Sequence, residues 1–232
     1  EIAAIPCPII RGDLVWCSCS YGDGGSALLK LIPDGKGGFE AKELQYYAKK
    51  NAGVNNHHGG MILVKDHVYF GHDQNQGQPT CIEFATGVEK WKFTLPNNDQ
   101  PSKRGLAYWP GDGTAAPSLI FGGLSGGMFS IKTSDGTLND SFGDHGVVNL
   151  KTAEVMQTGM GPAYSLLTAP TIYKNLIITG AGVGEGPGGS NAGSGPAGDT
   201  RAWDARTGRL VWTFHTVPRP GEFGENTWKE NS

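Results

Sequence analysis

Three side chains of this 232-residue sequence, Arg104, Thr168 and Glu185, combine a type and a setting that could hold a polar ligand. Arg104 opens the phrase RGLAYWPGDG (Arg104–Gly113). Its guanidinium keeps its charge at any relevant pH and can grip a carboxylate through two parallel hydrogen bonds. Glu185 stands just past the apolar run LIITGAGVGE (Leu176–Glu185), and a carboxylate at the end of a strand suits calcium, which takes about six to eight oxygen ligands. Taken alone, a single Glu in a glycine-rich loop is ordinarily solvated. Thr168, in LLTAP, offers a hydroxyl.

Other polar clusters carry less. NNHHGG (Asn55–Gly60), with His67 and His72, suggests a metal site by residue type. His57 and His58 are adjacent and would point opposite ways in an extended chain, so the segment reads as a polar turn. Asp135 and Asp204 stand beside turns and are expected to cap them, and PDGKGG (Pro33–Gly38) has too few carboxylates for an EF-hand and reads as a turn. The four cysteines, Cys7, Cys17, Cys19 and Cys81, form no CxxC pair of the zinc type. Cys17 and Cys19 share one face of a strand. They read as small apolar residues in a sheet, with a disulfide to Cys7 or Cys81 as the alternative.

The elements that must position these residues announce themselves as repeats. One phrase is a turn followed by an alternating apolar run: GDLVWCSCS (Gly12–Ser20), KDHVYFGH (Lys65–His72), KNLIITGAG (Lys174–Gly182) and the variant SLIFGGLSG (Ser118–Gly126). The other is a strand, a Thr-Gly turn and a closing aromatic: CIEFATGVEKW (Cys81–Trp91), RAWDARTGRLVW (Arg201–Trp212) and, more loosely, FSIKTSDGTLNDSF (Phe129–Phe142). Each pair predicts short antiparallel strands, with the glycine supplying the positive φ of a hairpin turn. Units of ~40–50 residues with four strands match β-propeller blades. The expectation is an all-β chain, one partial propeller domain over 1–232, with blades at 5–49, 54–95, 104–150 and 164–216 and the next segment opening at 217–232. Trp91 and Trp212 are expected to fill the wedge between neighbouring blades. GEGPGGSNAGSGPAGD (Gly184–Asp199) is low in complexity and reads as a loop between two strands of the fourth unit.

Composition narrows the function classes. With 37 Gly, 14 Pro and 18% charged residues, the chain fits many strands and tight turns rather than helices or disorder. A net charge of −3 and a pI near 6.1 leave no basic face for nucleic acid. No run approaches the length of a membrane span. The opening EIAAIPCPII has neither a Met start nor a secretion-signal pattern, which reads as a mature or excised piece.

Arg104–Gly113, LLTAPTIYKNLIITGAGVGEG (Leu166–Gly186), RAWDARTGRLVW and FHTVPRPGEFGENTW (Phe214–Trp228) together resemble the quinoprotein alcohol and glucose dehydrogenases, whose cofactor is pyrroloquinoline quinone (PQQ). The resemblance implies an eight-bladed ring of which this chain holds about half. It also implies cofactor contacts from Arg104 and Thr168, a calcium ligand at Glu185, oxidation of an alcohol or sugar hydroxyl, and electron transfer to a quinone or cytochrome. A periplasmic or secreted location is implied, with membrane association through missing sequence. The remaining blades, or a partner chain, complete the ring; nucleic acid is not among the partners.

Departures from the family are specific. Leu167 stands at the family's hydroxyl position, with Thr168 one residue off, and Gly182 replaces a serine. Asn98 and Asp99 replace the adjacent cysteines of many alcohol-oxidising members. The family's Asp base, its Asn calcium ligand and its Trp floor come from blades further along, so no catalytic residue is assigned here. Residues 1–92 resemble non-catalytic PQQ-like repeat proteins, with a seam near 93–103. A binding or assembly scaffold is therefore the alternative function.

Overall fold

The structure is a computed structural model that describes residues 5–22, 24–48, 54–71, 78–102, 104–156, 164–180, 182 and 198–227. Among the described residues, sixteen strands form four four-stranded antiparallel sheets, each taking its strands in chain order. The first holds β1 (Ile9–Arg11), β2 (Leu14–Ser18), β3 (Gly25–Pro33) and β4 (Phe39–Ala48). The second holds β5 (Ile62–Val64), β6 (His67–Phe70), β7 (Thr80–Glu83) and β8 (Glu89–Lys92). β9 (Ala107–Trp109), β10 (Ser118–Gly122), β11 (Gly127–Lys132) and β12 (Val147–Asn149) make the third. β13 (Thr171–Tyr173), β14 (Leu176–Thr179), β15 (Thr200–Asp204) and β16 (Leu210–Phe214) make the fourth. A single turn of helix, α1 (Ala153–Met156), follows the third sheet. No helix among the described residues is long and apolar enough to cross a membrane.

The sheets stack face to face in sequence order because each inner strand is apolar on both sides. Val68, Phe70 and Ile82 of the second sheet pack on Trp16 and Leu28 of the first. The alternate residues Tyr69 and Cys81 point the other way, onto Leu119, Phe129 and Ile131 of the third. Ile120, Met128 and Trp109 then meet Ile177 and Trp203 of the fourth. This serial stacking of four-stranded sheets is that of four β-propeller blades.

The turn glycines do more than reverse the chain. Gly87, Gly136 and Gly208 all have φ near +72°, as the Thr-Gly and Asp-Gly phrases require. Each also receives a side chain from the preceding sheet. A Cβ would lie 2.9 Å from Gln45 Cβ at Gly87, 2.5 Å from Trp91 Cε3 at Gly136 and 2.4 Å from Val148 Cγ2 at Gly208. Gln45, Trp91 and Trp212 each follow the bulged residue of their outermost strand. Trp91 thus fills the expected wedge and donates its Nε1–H to Thr133 O at 3.1 Å. Trp212, on the far face of the fourth sheet, is 39% exposed.

One reading needs correction. The third copy of the second phrase does not close its sheet at Phe142. Its hairpin begins normally, with Lys132 N bonded to Thr137 O, but pairs only through the isolated bridge Ile131–Leu138. The positive φ of Gly143, His145 and Gly146 reverses the chain again, and β12 supplies the fourth strand while Phe142 is buried in the core. The cysteines are all free: Cys81 is buried, Cys17 and Cys19 are half-buried, and Cys7 is exposed. Burial pushes the Cys81 thiol up to about 12. Asp34, Asp135 and Asp204 accept backbone N–H groups within their own turns, as expected.

Candidate functional site

In the second, third and fourth sheets the chain reaches the first strand through an extended segment, and these three segments lie side by side. The third residues before β5, β9 and β13 are Gly59, Arg104 and Thr168. Arg104 and Thr168 are joined by a parallel β-bridge. On the other side Gly59 and Gly60 abut Gly105 so closely that a Cβ on Gly105 would lie 2.9 Å from Gly60 N. Glycine at position 105 therefore answers both to a φ of +103° and to a backbone crossing. Two residues earlier in each segment, His57, Ser102 and Leu166 are buried, whereas Arg104 and Thr168 are exposed.

Arg104 and Thr168 are both exposed, and neither side chain makes a hydrogen bond or ion pair among the described residues. A cation without an internal partner beside an uncommitted hydroxyl can hold an acidic ligand such as a carboxylate. The two residues that the resemblance assigned to the cofactor lie on adjoining segments. Glu185 lies outside the described residues. Earlier in the sequence, Gly182 forms an antiparallel bridge with Ser165, Gly182 N donating to Ser165 O at 2.8 Å. Among the described residues no group of three or more His, Cys, Asp or Glu side chains could hold a metal ion.

The segment carrying Thr168 is fixed by a buried arginine that the sequence reading passed over. Arg201 on β15 has no exposed surface; it donates to Tyr164 Oη at 2.9 Å, to Val155 O at 2.9 Å and to Asp199 Oδ2 at 3.2 Å. Arg219 reaches the same Asp199 oxygen at 3.3 Å. Burial raises the Tyr164 phenol, so the ring stays a neutral acceptor for the guanidinium. The signal available was an Arg where an inward-facing strand position calls for an apolar residue.

The far end of RGLAYWPGDG has a structural task. Trp109 is fully buried and donates to Asn175 Oδ1 at 3.2 Å, while Asp112 pairs with Arg206 of the fourth sheet's turn. Backbone N–H of Ala115, the Thr114 hydroxyl and the Arg206 guanidinium hold the Asp112 carboxyl well below the usual carboxylate range. Within the phrase, Trp109 and Asp112 tie the third sheet to the fourth, while Arg104 is exposed.

At the departures from the family, the geometry is equally definite. Asp99 accepts Ser125 N at 3.0 Å and the Ser125 hydroxyl. Asn97 and Asn98 both have positive φ. With Asp144, Asn149, Phe129 and Val147 this loop lines a cleft of about 550 Å³ whose walls are polar and apolar in equal part. Leu167 lies over Gly182, where a Cβ would be 2.7 Å from Leu167 Cγ. His57 and His58 do not point apart as they would in an extended chain: a bend between them stacks their rings with centroids 3.8 Å apart. The segment is a turn as expected, His67 sits half-buried on β6, and His72 lies outside the described residues.

Residues 39–232 match the family model described as PQQ, glucose/ethanol/alcohol dehydrogenase, β-propeller domain. The dehydrogenase subunit of the quinone-dependent alcohol dehydrogenase of Gluconacetobacter polyoxogenes is 30% identical over 169 residues, which are 69% of this chain and 20% of that protein. The chain spans about a fifth of the length of the curated relatives it matches. Among solved structures, the quinohemoprotein alcohol dehydrogenase of Comamonas testosteroni aligns with a TM-score of 0.51 at 20% identity, covering 71% of this chain and 22% of that one. BamB of Moraxella catarrhalis aligns with a TM-score of 0.50 at 14% identity, covering 90% and 47%. These two likenesses show the propeller fold.

Proposed function

The chain belongs to the PQQ-type glucose/ethanol/alcohol dehydrogenase β-propeller family, and from that premise we propose that it forms one wall of the cofactor site of a quinoprotein dehydrogenase. The observation that carries this reading is the Arg104–Thr168 bridge, which sets an unpaired guanidinium beside a free hydroxyl on the exposed side of adjoining segments. These groups fit a planar tricarboxylate. Arg104 would bind one carboxylate by paired N–H bonds, and Thr168 would donate to a neighbouring oxygen. Glu185, just past Gly182, is the residue proposed to help hold calcium. The described residues do not complete such a site, so no step is drawn through the metal. Bound PQQ would accept the electrons of a hydroxyl being oxidised, with the protein supplying binding and orientation.

The proposed substrate is an alcohol or a sugar hydroxyl, and the proposed acceptor is a quinone or cytochrome in the periplasm or outside the cell. No residue of the chain is assigned as the base that takes the substrate proton. Further blades, from the same polypeptide or a partner, are proposed to supply it. Titrating PQQ into the full-length protein and an Arg104→Ala variant tests the site, and equal affinity would remove Arg104 from it. Dye-linked oxidation of alcohols and aldoses with added PQQ and Ca²⁺ tests the activity; no turnover with any of them would overturn it.

One observation favours a second reading, a propeller retained as a binding or assembly scaffold. Leu167 covers Gly182, so two positions where the family presents hydroxyls present an apolar contact instead. Failure of both variant and wild type to bind PQQ would support the scaffold.

A further inference from the structure

The loop that follows β8 runs through Pro96–Asp99, where the chain departs from its family, and passes over one end of the third sheet. Three successive residues fasten it to the turn between β10 and β11. Asp99 accepts Ser125 N at 3.0 Å and the Ser125 hydroxyl, Gln100 O accepts Leu124 N at 2.9 Å, and Pro101 bridges Gly123. Ser102 N then donates to Gly122 O at 2.7 Å, so the loop sits at the end of the sheet beside which Arg104 lies. Asn97 and Asn98 hold φ of 57° and 54°, a region that asparagine enters more readily than most residues with a side chain. Anchored in that form, the loop presents a fixed wall to the cleft of about 550 Å³.

The groups around this cleft are uncommitted. Asn97 and Asn98 are exposed, and neither amide side chain makes a hydrogen bond among the described residues. Asn149 Oδ1 accepts Lys151 N at 2.9 Å, which leaves its amide N–H groups to donate. Asp144 stands at the rim with its side chain 97% exposed. The floor is apolar, because Gly126 and Gly127 carry no side chain to cover it: a Cβ on Gly127 would lie 2.9 Å from Phe129 Cε2 and 3.4 Å from Val147 Cγ1. Among the described residues no lysine or arginine lines the cleft.

These features choose between ligands. An anion would meet Asp99 and Asp144 with no cation to hold it. A metal ion would find Asp99 already accepting from Ser125 and from Gln100 N at 2.8 Å, and no group of three or more His, Cys, Asp or Glu among the described residues. A sugar ring or polyol matches both surfaces. Its C–H faces suit Val147 and the edge of Phe129, and its adjacent hydroxyls can donate to carboxylate and amide oxygens while accepting from amide N–H groups. The volume falls within the range of small-molecule sites, roughly 300–1,000 Å³.

We infer that the cleft between the Pro96–Asp99 loop and the β10–β11 turn is a binding site for a neutral polyhydroxylated ligand, a saccharide or polyol. Asn97, Asn98, Asp144 and Asn149 take its hydroxyls, and Val147 takes an apolar face. The inference stands on the cleft alone and does not need the quinone reading.

The test is calorimetric titration of maltose, glucitol and gluconate into the full-length protein without PQQ. Maltose and glucitol are expected to bind in the millimolar range. Gluconate should bind about fivefold more weakly than glucitol, because its carboxylate meets Asp144 and Asp99. The double variant Asn97→Gly, Asn98→Gly keeps the backbone, since glycine adopts positive φ freely, and removes both amides. It should bind maltose about tenfold more weakly, within the range that two neutral hydrogen bonds supply. Asp144→Asn, at an exposed rim position, should bring gluconate to within about twofold of glucitol. Equal maltose affinity in wild type and the glycine variant overturns the inference, as does absence of binding by both neutral ligands. If the glycine variant fails to fold, Asp144→Asn decides: unchanged discrimination against gluconate overturns the site. With PQQ absent throughout, failure here leaves the quinone reading standing, and failure of PQQ to bind leaves this site standing.

Discussion

Asp112 and Arg206 form an ion pair across the seam between the third and fourth sheets. It ties the end of RGLAYWPGDG to the turn of RAWDARTGRLVW, two phrases that looked independent in the sequence. Asn175 Nδ2 adds a contact to the same carboxylate at 3.4 Å, so three segments converge on one acceptor. The seam that carries the Arg104–Thr168 bridge is therefore fastened at a second point.

The pair should show itself in the pH dependence of stability. Asp112 is held below its unfolded-state range, so the unfolded chain takes up that proton first as the pH falls. The contribution is fully present above about pH 5 and is lost progressively at lower pH. Asp112→Asn is expected to be less stable than wild type at pH 7 in urea unfolding, with the difference shrinking below about pH 4. A difference constant from pH 7 to pH 3 would sink this account.

Trp91 and Gly136 form the best-defined knob and socket between sheets. Trp91→Ala should cost about 2–3 kcal/mol, short of the full value for a buried aromatic because the ring is half-exposed. Gly136→Ala should cost a similar amount, since the new methyl meets the indole at 2.5 Å in a backbone with φ +72°. Trp212→Ala provides the comparison: with 39% of its surface exposed it should cost less than Trp91→Ala. Urea midpoints of the three variants decide it, and a costly Trp212→Ala would mean that this face is covered in solution.

Arg201 makes the opposite kind of prediction. Its guanidinium is fully buried against Asp199, Tyr164 and Val155 O, and removing one member leaves the others unpaired. Arg201→Ala should cost about 3–5 kcal/mol. Asp199→Asn should also destabilise, because Arg201 and Arg219 share that carboxylate. Thermal unfolding of both variants is the measurement; a loss below about 1 kcal/mol for each would show the network to be dispensable.

The repeats made the sheets legible because alternating apolar runs and Thr-Gly turns are local signals, and Trp91 followed from its place at the end of one. What the sequence hid is what depends on two distant segments at once. Gly87, Gly136 and Gly208 read as turn residues, yet each is also the floor of an inter-sheet contact. The stacking of His57 on His58 needed the bend that Asn56 closes. Lys65 and Lys174 hold positive φ that no residue type announced. The third sheet's last strand was misplaced because a hairpin that starts correctly is interrupted by positive-φ residues before it can pair. Of the site, Arg104 and Thr168 were chosen separately by resemblance, and only the bridge between them shows that they are neighbours.

Leu167 and Gly182 test whether the hydroxyls of the family can be restored. Gly182→Ser alone adds a Cβ that would meet Leu167 Cγ at 2.7 Å and Ser165 O at 3.2 Å, so it should cost about 1–3 kcal/mol through overpacking. Leu167→Thr alone removes a side chain that is 45% exposed and should cost under about 1 kcal/mol. Together the two should be less destabilising than their sum, because threonine vacates the space that the serine needs; the coupling expected for such contacting residues is about 0.5–3 kcal/mol. The double variant should also bind PQQ more tightly than wild type, since two donors then line the segment beside Thr168. Additive stabilities would mean that Leu167 already yields to a side chain at position 182. Unchanged PQQ affinity with the expected coupling would place this pair outside the ligand's reach and confine the site to the row through Arg104.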